Sequence, residues 1–168
     1  IEHSSGHIKF DCGKDLESFN EDRLLKNYKN INFYDHQGSH WSPLCVHLDM
    51  WNKIGGFSEE FNPGIGSDPD FNMKLWNNGV RIFKGLNDFK VYHFASLTTR
   101  KNIKVIQNRG DNTFLKKWGF SIKFFKRFYM RTNEKYDGPL NEPNKNILFY
   151  FYLLICKIKF FYVYLLRI

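Results

Sequence analysis

The stretch from Gly55 to Gly79, GGFSEEFNPGIGSDPDFNMKLWNNG, constrains this chain more than any other, because its glycines and prolines fix where the backbone can be regular. Pro63, Gly64 and Gly66 predict a tight loop, and the residues that follow predict a helix over 68–78 with Gly79 as its C-terminal cap. Ser67 and Asp70 have the S-x-x-D spacing of a capping box, and Pro69 suits a first turn. Upstream, WSPLCVHLDMW turns at Pro43 and enters a short apolar run that Gly55 and Gly56 stop. Downstream, VRIF (80–83) and KVYHF (90–94) read as short strands around a turn at 85–88, which makes the body α/β.

A length of 168 residues suits one domain, and 42% hydrophobic with 18% aromatic residues is ample for a core, which excludes intrinsic disorder as the main reading. The net charge of +8 is unevenly placed. Residues 1–114 hold 14 Lys+Arg and 14 Asp+Glu, while residues 115–168 hold 11 and 3, so the whole excess lies in the last third. A uniform nucleic-acid surface would not divide so cleanly, and no nucleic-acid partner is expected; a neutral body with a basic aromatic tail fits an anionic surface better. Cys12, Cys45 and Cys156 are odd in number and far apart, without a CxxC, which argues against a disulfide framework and for a reducing, cytoplasmic setting, and the basic tail adds the expectation of a peripheral place at the cytoplasmic face of a membrane. No stretch near Ile1 has the make-up of a secretory signal, and the chain is expected to be part of a longer protein.

Within residues 1–112, the acidic Glu17, Glu21 and Asp22 followed by Lys26 and Lys29 suit a solvated helix. Residues 113–131 carry Leu115, Trp118, Ile122, Phe125 and Tyr129 at steps of three and four, the stripe of one amphipathic helix that Gly119 weakens by about 1 kcal/mol. Residues 132–146, with Asp-Gly-Pro and Glu-Pro steps, read as a linker. Residues 147–168 form an apolar aromatic tail of bilayer-span length, but Lys157 and Lys159 near its centre would each cost roughly 3 kcal/mol in a span. On a helix these lysines stand about 200° apart, which spoils a simple two-faced pattern. Interfacial binding and docking on the body both remain open for this tail.

Asp68 and Asp70 spell D-x-D, a pair that can hold a divalent cation or divide acid and base roles, or simply favour the positive end of a helix. His93 can reach a metal or phosphate from a strand end, although a lone histidine is usually neither. Trp41, Trp51 and Trp76 can stack on a sugar or pack in the core, and Thr98, Thr99, Arg100 and Lys101 offer hydroxyls and cations suited to phosphate or to an exposed loop. No P-loop, GxSxG, HExxH or GxGxxG occurs.

The runs GGFSEEF, GSDPDFNMKLW, NNGVRIFKG and KVYHF, preceded by WSPLCVHLDMWNKIGGF and followed by FLKKWGF at 114–120, resemble the acceptor-side half of family 2 glycosyltransferases over about residues 38–120. The resemblance implies a GT-A-like (Rossmann-like) mixed sheet with flanking helices, here its acceptor-side half, with a helical basic C-terminal tail. It implies transfer of a sugar from a nucleotide-diphosphate sugar to an acceptor hydroxyl with inversion, in surface-glycan or lipid-linked saccharide synthesis, with Mg²⁺ or Mn²⁺ as cofactor. By position, Asp68 matches the base for the acceptor hydroxyl, Gly55 and Gly56 the glycine loop beside the acceptor, and His93 the histidine that completes the metal and diphosphate site. Lys74 takes the usual arginine position, and Ser67 stands where glutamate is common. The candidate substrate-binding residues are then Trp41, Gly55, Gly56, Ser67, Asp70 and Lys74, with Asp68 as the catalytic residue and His93 as the metal ligand. The family's nucleotide-binding half, with its own D-x-D, does not fit in residues 1–37, so the chain is expected to be a carboxy-terminal piece, inactive alone.

Two other classes compete. A glycoside hydrolase would need two carboxylates among Glu59, Glu60, Asp68 and Asp70 set about 5 to 9.5 Å apart across a cleft. A non-enzymatic basic module would bind membrane or nucleic acid through the tail.

Overall fold

The computed structural model describes residues 3–4, 7–31, 34–39, 42–62, 65–94 and 109–165. Two short antiparallel pairs, β1 (His3–Ser4) with β2 (His7–Ile8) and β3 (His36–Gln37) with β4 (Lys84–Gly85), make up the named strands among them. The helices are α1 (Glu21–Asn27), α2 (Leu48–Ile54), α3 (Ser67–Asn77), α4 (Gly110–Trp118), α5 (Ile122–Phe128) and α6 (Ile147–Leu165). Single 3₁₀ turns occupy Tyr28–Asn30 and Glu59–Phe61.

The punctuation around α3 acts much as its residues dictate. Gly79, at φ 86, follows the C-cap residue Asn78, and the Gly79 and Val80 amides donate to the Trp76 and Leu75 carbonyls, the paired bonds of a Schellman ending. The start differs from the capping-box expectation. Gly66 is the N-cap, Ser67 is the first helical residue, and Asp70 turns into the core instead of back to the backbone. The reason is steric: Gly66 sits at φ 107, and a Cβ there would meet the buried Phe61 ring at 2.7 Å, so the chain can enter the helix only through glycine. Pro69 falls in the first turn, where its missing N–H has no intrahelical acceptor to lose. Because α3 buries Phe71, Met73, Leu75 and Trp76, it is the central helix, not a surface one.

Around α3 lies an aromatic core. Trp51 and Phe57 meet Phe71 from the α2 side, Phe83 stacks on Trp76, and Phe114, Phe120, Phe124 and Phe125 close the other side. Trp76 is thus buried in the core and Trp51 packs half-buried against it. The single helix expected over 113–131 is two: Gly119 caps α4 at φ 77, and the Ser121 hydroxyl accepts the Phe124 amide to start α5. The break lets Phe120 fold inward and stack on Tyr129 at 5.3 Å, while Leu115 and Phe125 keep the buried stripe.

The expected strands at 80–83 and 90–94 make no ladder. The Arg81 carbonyl accepts from Leu140, and that of Phe83 accepts from Gly38 and Ser39, so pairing begins only at Lys84. Tyr92 and Phe94 close an aromatic group with Phe19, and the Tyr92 hydroxyl accepts from the Cys12 amide and donates to the Gly13 carbonyl. Nor is 132–146 a free linker. The Glu134 carbonyl accepts from Gln37 and the Tyr136 amide donates to Asp35, while Leu140 is buried and Arg81 pairs with Glu142 at 2.6 Å. These residues strap β3 to the helical body. The tail expected to be helical is α6, whose closest partners are α4 and α5.

Candidate active site

The two carboxylates of the D-x-D do not converge. Residues i and i+2 of a helix point about 200° apart, and the first turn of α3 sends Asp68 and Asp70 into different surroundings. Asp70 is fully buried: Oδ1 accepts from Trp118 Nε1 at 2.8 Å and lies 2.9 Å from Lys117 Nζ, and Oδ2 accepts from the Ser58 hydroxyl at 2.7 Å. Lys117 also pairs with Glu60 at 2.5 Å, and Lys74 stands 3.9 Å from Asp70. Burial lowers the Lys117 pKa, but its hydrogen bonds to the Glu60 and Asp70 carboxylates outweigh that and leave it raised. Lys74 is lowered, because burial counts for more there than the Asp70 charge.

Lys74 donates to the Gly56 carbonyl and, at 3.0 Å, to the Ser58 hydroxyl, which ties the middle of α3 to the turn after α2. That turn needs its glycines. Gly55 is the left-handed C-cap of α2, and at Gly56 (φ 60) a Cβ would meet the Trp51 ring at 2.7 Å. Gly55, Gly56, Ser58, Asp70 and Lys74 therefore form one connected support, with Lys117 and Trp118 supplied from α4. Sequence reasoning did not find Lys117. A buried carboxylate demands a cation, but nothing in the spacing shows that it comes from 47 residues further on, beside Trp118.

Asp68 is of a different kind. It is half-buried, and its one carboxylate partner among the described residues is the Ser42 hydroxyl at 3.5 Å, the outer limit for such a bond. Burial raises its pKa above the ordinary carboxylate value, and the Ser42 bond lowers it by less. Asn72 fixes the turn beneath it, donating to the Asp68 carbonyl at 2.8 Å. Ser67 is half-buried next to it, with no hydroxyl partner among the described residues. Trp41, and the group Thr98, Thr99, Arg100 and Lys101, lie outside the described residues.

Comparison with protein-family models, with curated protein sequences and with solved structures gives no match. The site is therefore judged on its own chemistry.

A Mg²⁺ or Mn²⁺ ion needs several hard oxygen or imidazole donors converging on one point. Among the described residues no group of three or more His, Cys, Asp or Glu side chains is so arranged. His93 is exposed and has no bond to the Asp68 or Asp70 surroundings among them, while Asp70 is already saturated by two ammonium groups and two neutral donors. These residues do not fit a metal site. Beside the ion network lies an open depression of about 370 Å³ lined by Glu60, Thr113, Lys116 and Lys117.

Proposed function

We propose that the chain is the acceptor-side part of a glycosyltransferase of the family 2, GT-A type, in which Asp68 removes the proton of an acceptor hydroxyl as that oxygen attacks the anomeric carbon of a nucleotide-diphosphate sugar. The observation that carries this reading is the division of labour in the first turn of α3. Asp70 is consumed by internal bonds, whereas Asp68 stays partly accessible with a proton affinity raised by burial, which brings it closer to what a general base requires. The motif order from GGFSEEF to KVYHF supports the same reading. The Lys74, Lys117 and Gly56 support acts on position alone: it holds the first turn so that Asp68 meets the acceptor from a rigid element. On this reading the nucleotide and any divalent cation on its diphosphate belong to the other half of such a fold, where the cation would offset charge developing on the leaving group.

A hydrolase using Asp68 with Asp70 or Glu60 has less support, since both of those carboxylates are engaged by Lys117. The deciding experiment is transfer from a panel of nucleotide-diphosphate sugars to saccharide acceptors by the intact protein, with Asp68→Asn as the variant. Turnover falls by about 10² to 10⁴ if Asp68 is the base. Transfer within a few-fold of the parent overturns the assignment, and sugar release that needs no nucleotide overturns the reaction class.

A further inference from the structure

The last helix has three faces, not two. Along one seam Phe149, Cys156 and Val163 are buried against α4 and α5, with Tyr152 and Phe160 half-buried beside them. The seam is specific: Phe149 meets Phe124 at 5.0 Å and Phe128 at 5.3 Å, the Ser121 amide donates to Cys156 Sγ, and Arg127 donates to the Tyr152 hydroxyl while lying 4.6 Å over its ring. The helix is long and apolar enough to cross a bilayer, yet only 17% of that stretch is buried. At about 100° per residue, Ile158 points directly away from the seam, and Phe151, Leu154, Phe161, Tyr162 and Leu165 lie within about 60° of it. All six are exposed, Ile158 at 63% and Phe161 at 65%. Lys157 and Lys159 fall about 100° to either side of Ile158, one on each edge of this apolar face.

We infer that α6 lies flat in the headgroup region of an anionic lipid surface, its outward face in the acyl boundary, its two lysines level with the headgroups and its seam still holding the body. The inference is independent of the proposed transferase chemistry. Charge complementarity selects this occupant: residues 113–133 and 143–168 contain no Asp or Glu, so α5 and α6 offer cations alone. A second copy packed face to face about a two-fold would bring lysine edges together with no acidic residue on the helix to meet them. A span would strip Phe149, Cys156 and Val163 from their partners and take both lysines into hydrocarbon.

The test is co-sedimentation of the intact protein with vesicles of phosphatidylcholine alone or with about one-third phosphatidylserine. Binding requires the anionic lipid, weakens at least tenfold from 50 to 500 mM salt, and is released by alkaline carbonate. Ile158→Glu, at an exposed position, abolishes it without changing the thermal melt, whereas Leu16→Glu, exposed near the other end of the chain, leaves it intact. Orientation is read from spin labels at Phe151→Cys and Leu165→Cys in a Cys45→Ser background: equal, shallow depths support the flat helix. Unequal depths or resistance to carbonate mean a span and overturn it. Salt-independent binding to neutral vesicles overturns it as well, as does a lipid-indifferent dimer that Ile158→Glu converts to monomer.

Discussion

At zero exposure the Asp70 carboxylate is surrounded by Lys117, Trp118 and Ser58, and removing one partner of a buried ion pair costs several kcal/mol. Lys117→Met therefore lowers unfolding free energy by about 2 to 4 kcal/mol in denaturant titration, and Lys117→Arg restores most of it. A loss below about 0.5 kcal/mol would show that Lys74 alone balances Asp70. Asp68 behaves in the opposite sense. Burial raises its pKa in the folded chain, so between the ordinary carboxylate value and the raised one the folded state holds more protons than the unfolded state, and stability falls as pH rises through that window. Asp68→Asn stays uncharged throughout. Thermal melts then show the variant more stable than the parent near neutral pH, with the gap closing at about pH 3, where both states of the parent are protonated. A variant that is less stable at every pH would mean that Asp68 serves the helix and not the chemistry. In the sequence Asp68 is legible as a candidate through its motif, but its separation from Asp70 is not, because D-x-D states a spacing along the chain and the helix turns it into divergence.

Elements were legible where their signals are local. The end of α3 follows from Gly79, and its start lies within a residue of the expected place, although Gly66 and not Ser67 makes it. The division between α4 and α5 was hidden because both helices share one buried stripe, so the periodicity runs on across Gly119 while the backbone does not. The expected strands at 80–83 and 90–94 failed for a different reason. Only alternate residues turn inward, Phe83 being buried while Ile82 and Val91 are exposed, and at 80–83 the carbonyls of Arg81 and Phe83 are taken by loop amides that no local pattern announces. Gly55 at the end of α2 and Gly66 at the entry to α3 offer a clean test, since these two glycines with positive φ differ in what surrounds them. Gly55→Ala, with open space about its Cβ, costs about 1 kcal/mol of backbone strain. Gly66→Ala adds the clash with Phe61 and costs at least about 2 kcal/mol more, measured by the same denaturant titration. Equal losses would mean that Phe61 moves aside freely.

For the molecule as a whole, α6 is the element whose removal matters most unevenly. Phe149→Ala opens a cavity against Phe124 and Phe128 and costs about 3 to 5 kcal/mol, whereas Phe151→Ala, on the outward face, changes stability by less than about 0.5 kcal/mol. If thermal melts of the two variants coincide, the seam does not hold. The sequence showed the length and apolarity of this helix but not which third of it faces the body, because that depends on α4 and α5 arriving beside it. Charge is divided along the chain as well: residues 1–114 sum to zero and the whole excess of +8 sits in residues 115–168, which include α5 and α6. A particle so divided feels a torque in a field even before it feels much net pull. Approaching a negative plane, it turns α5 and α6 forward within about one Debye length, roughly 8 Å at physiological ionic strength. Salt then slows arrival by letting the protein meet the surface in random attitudes, as well as loosening it once there.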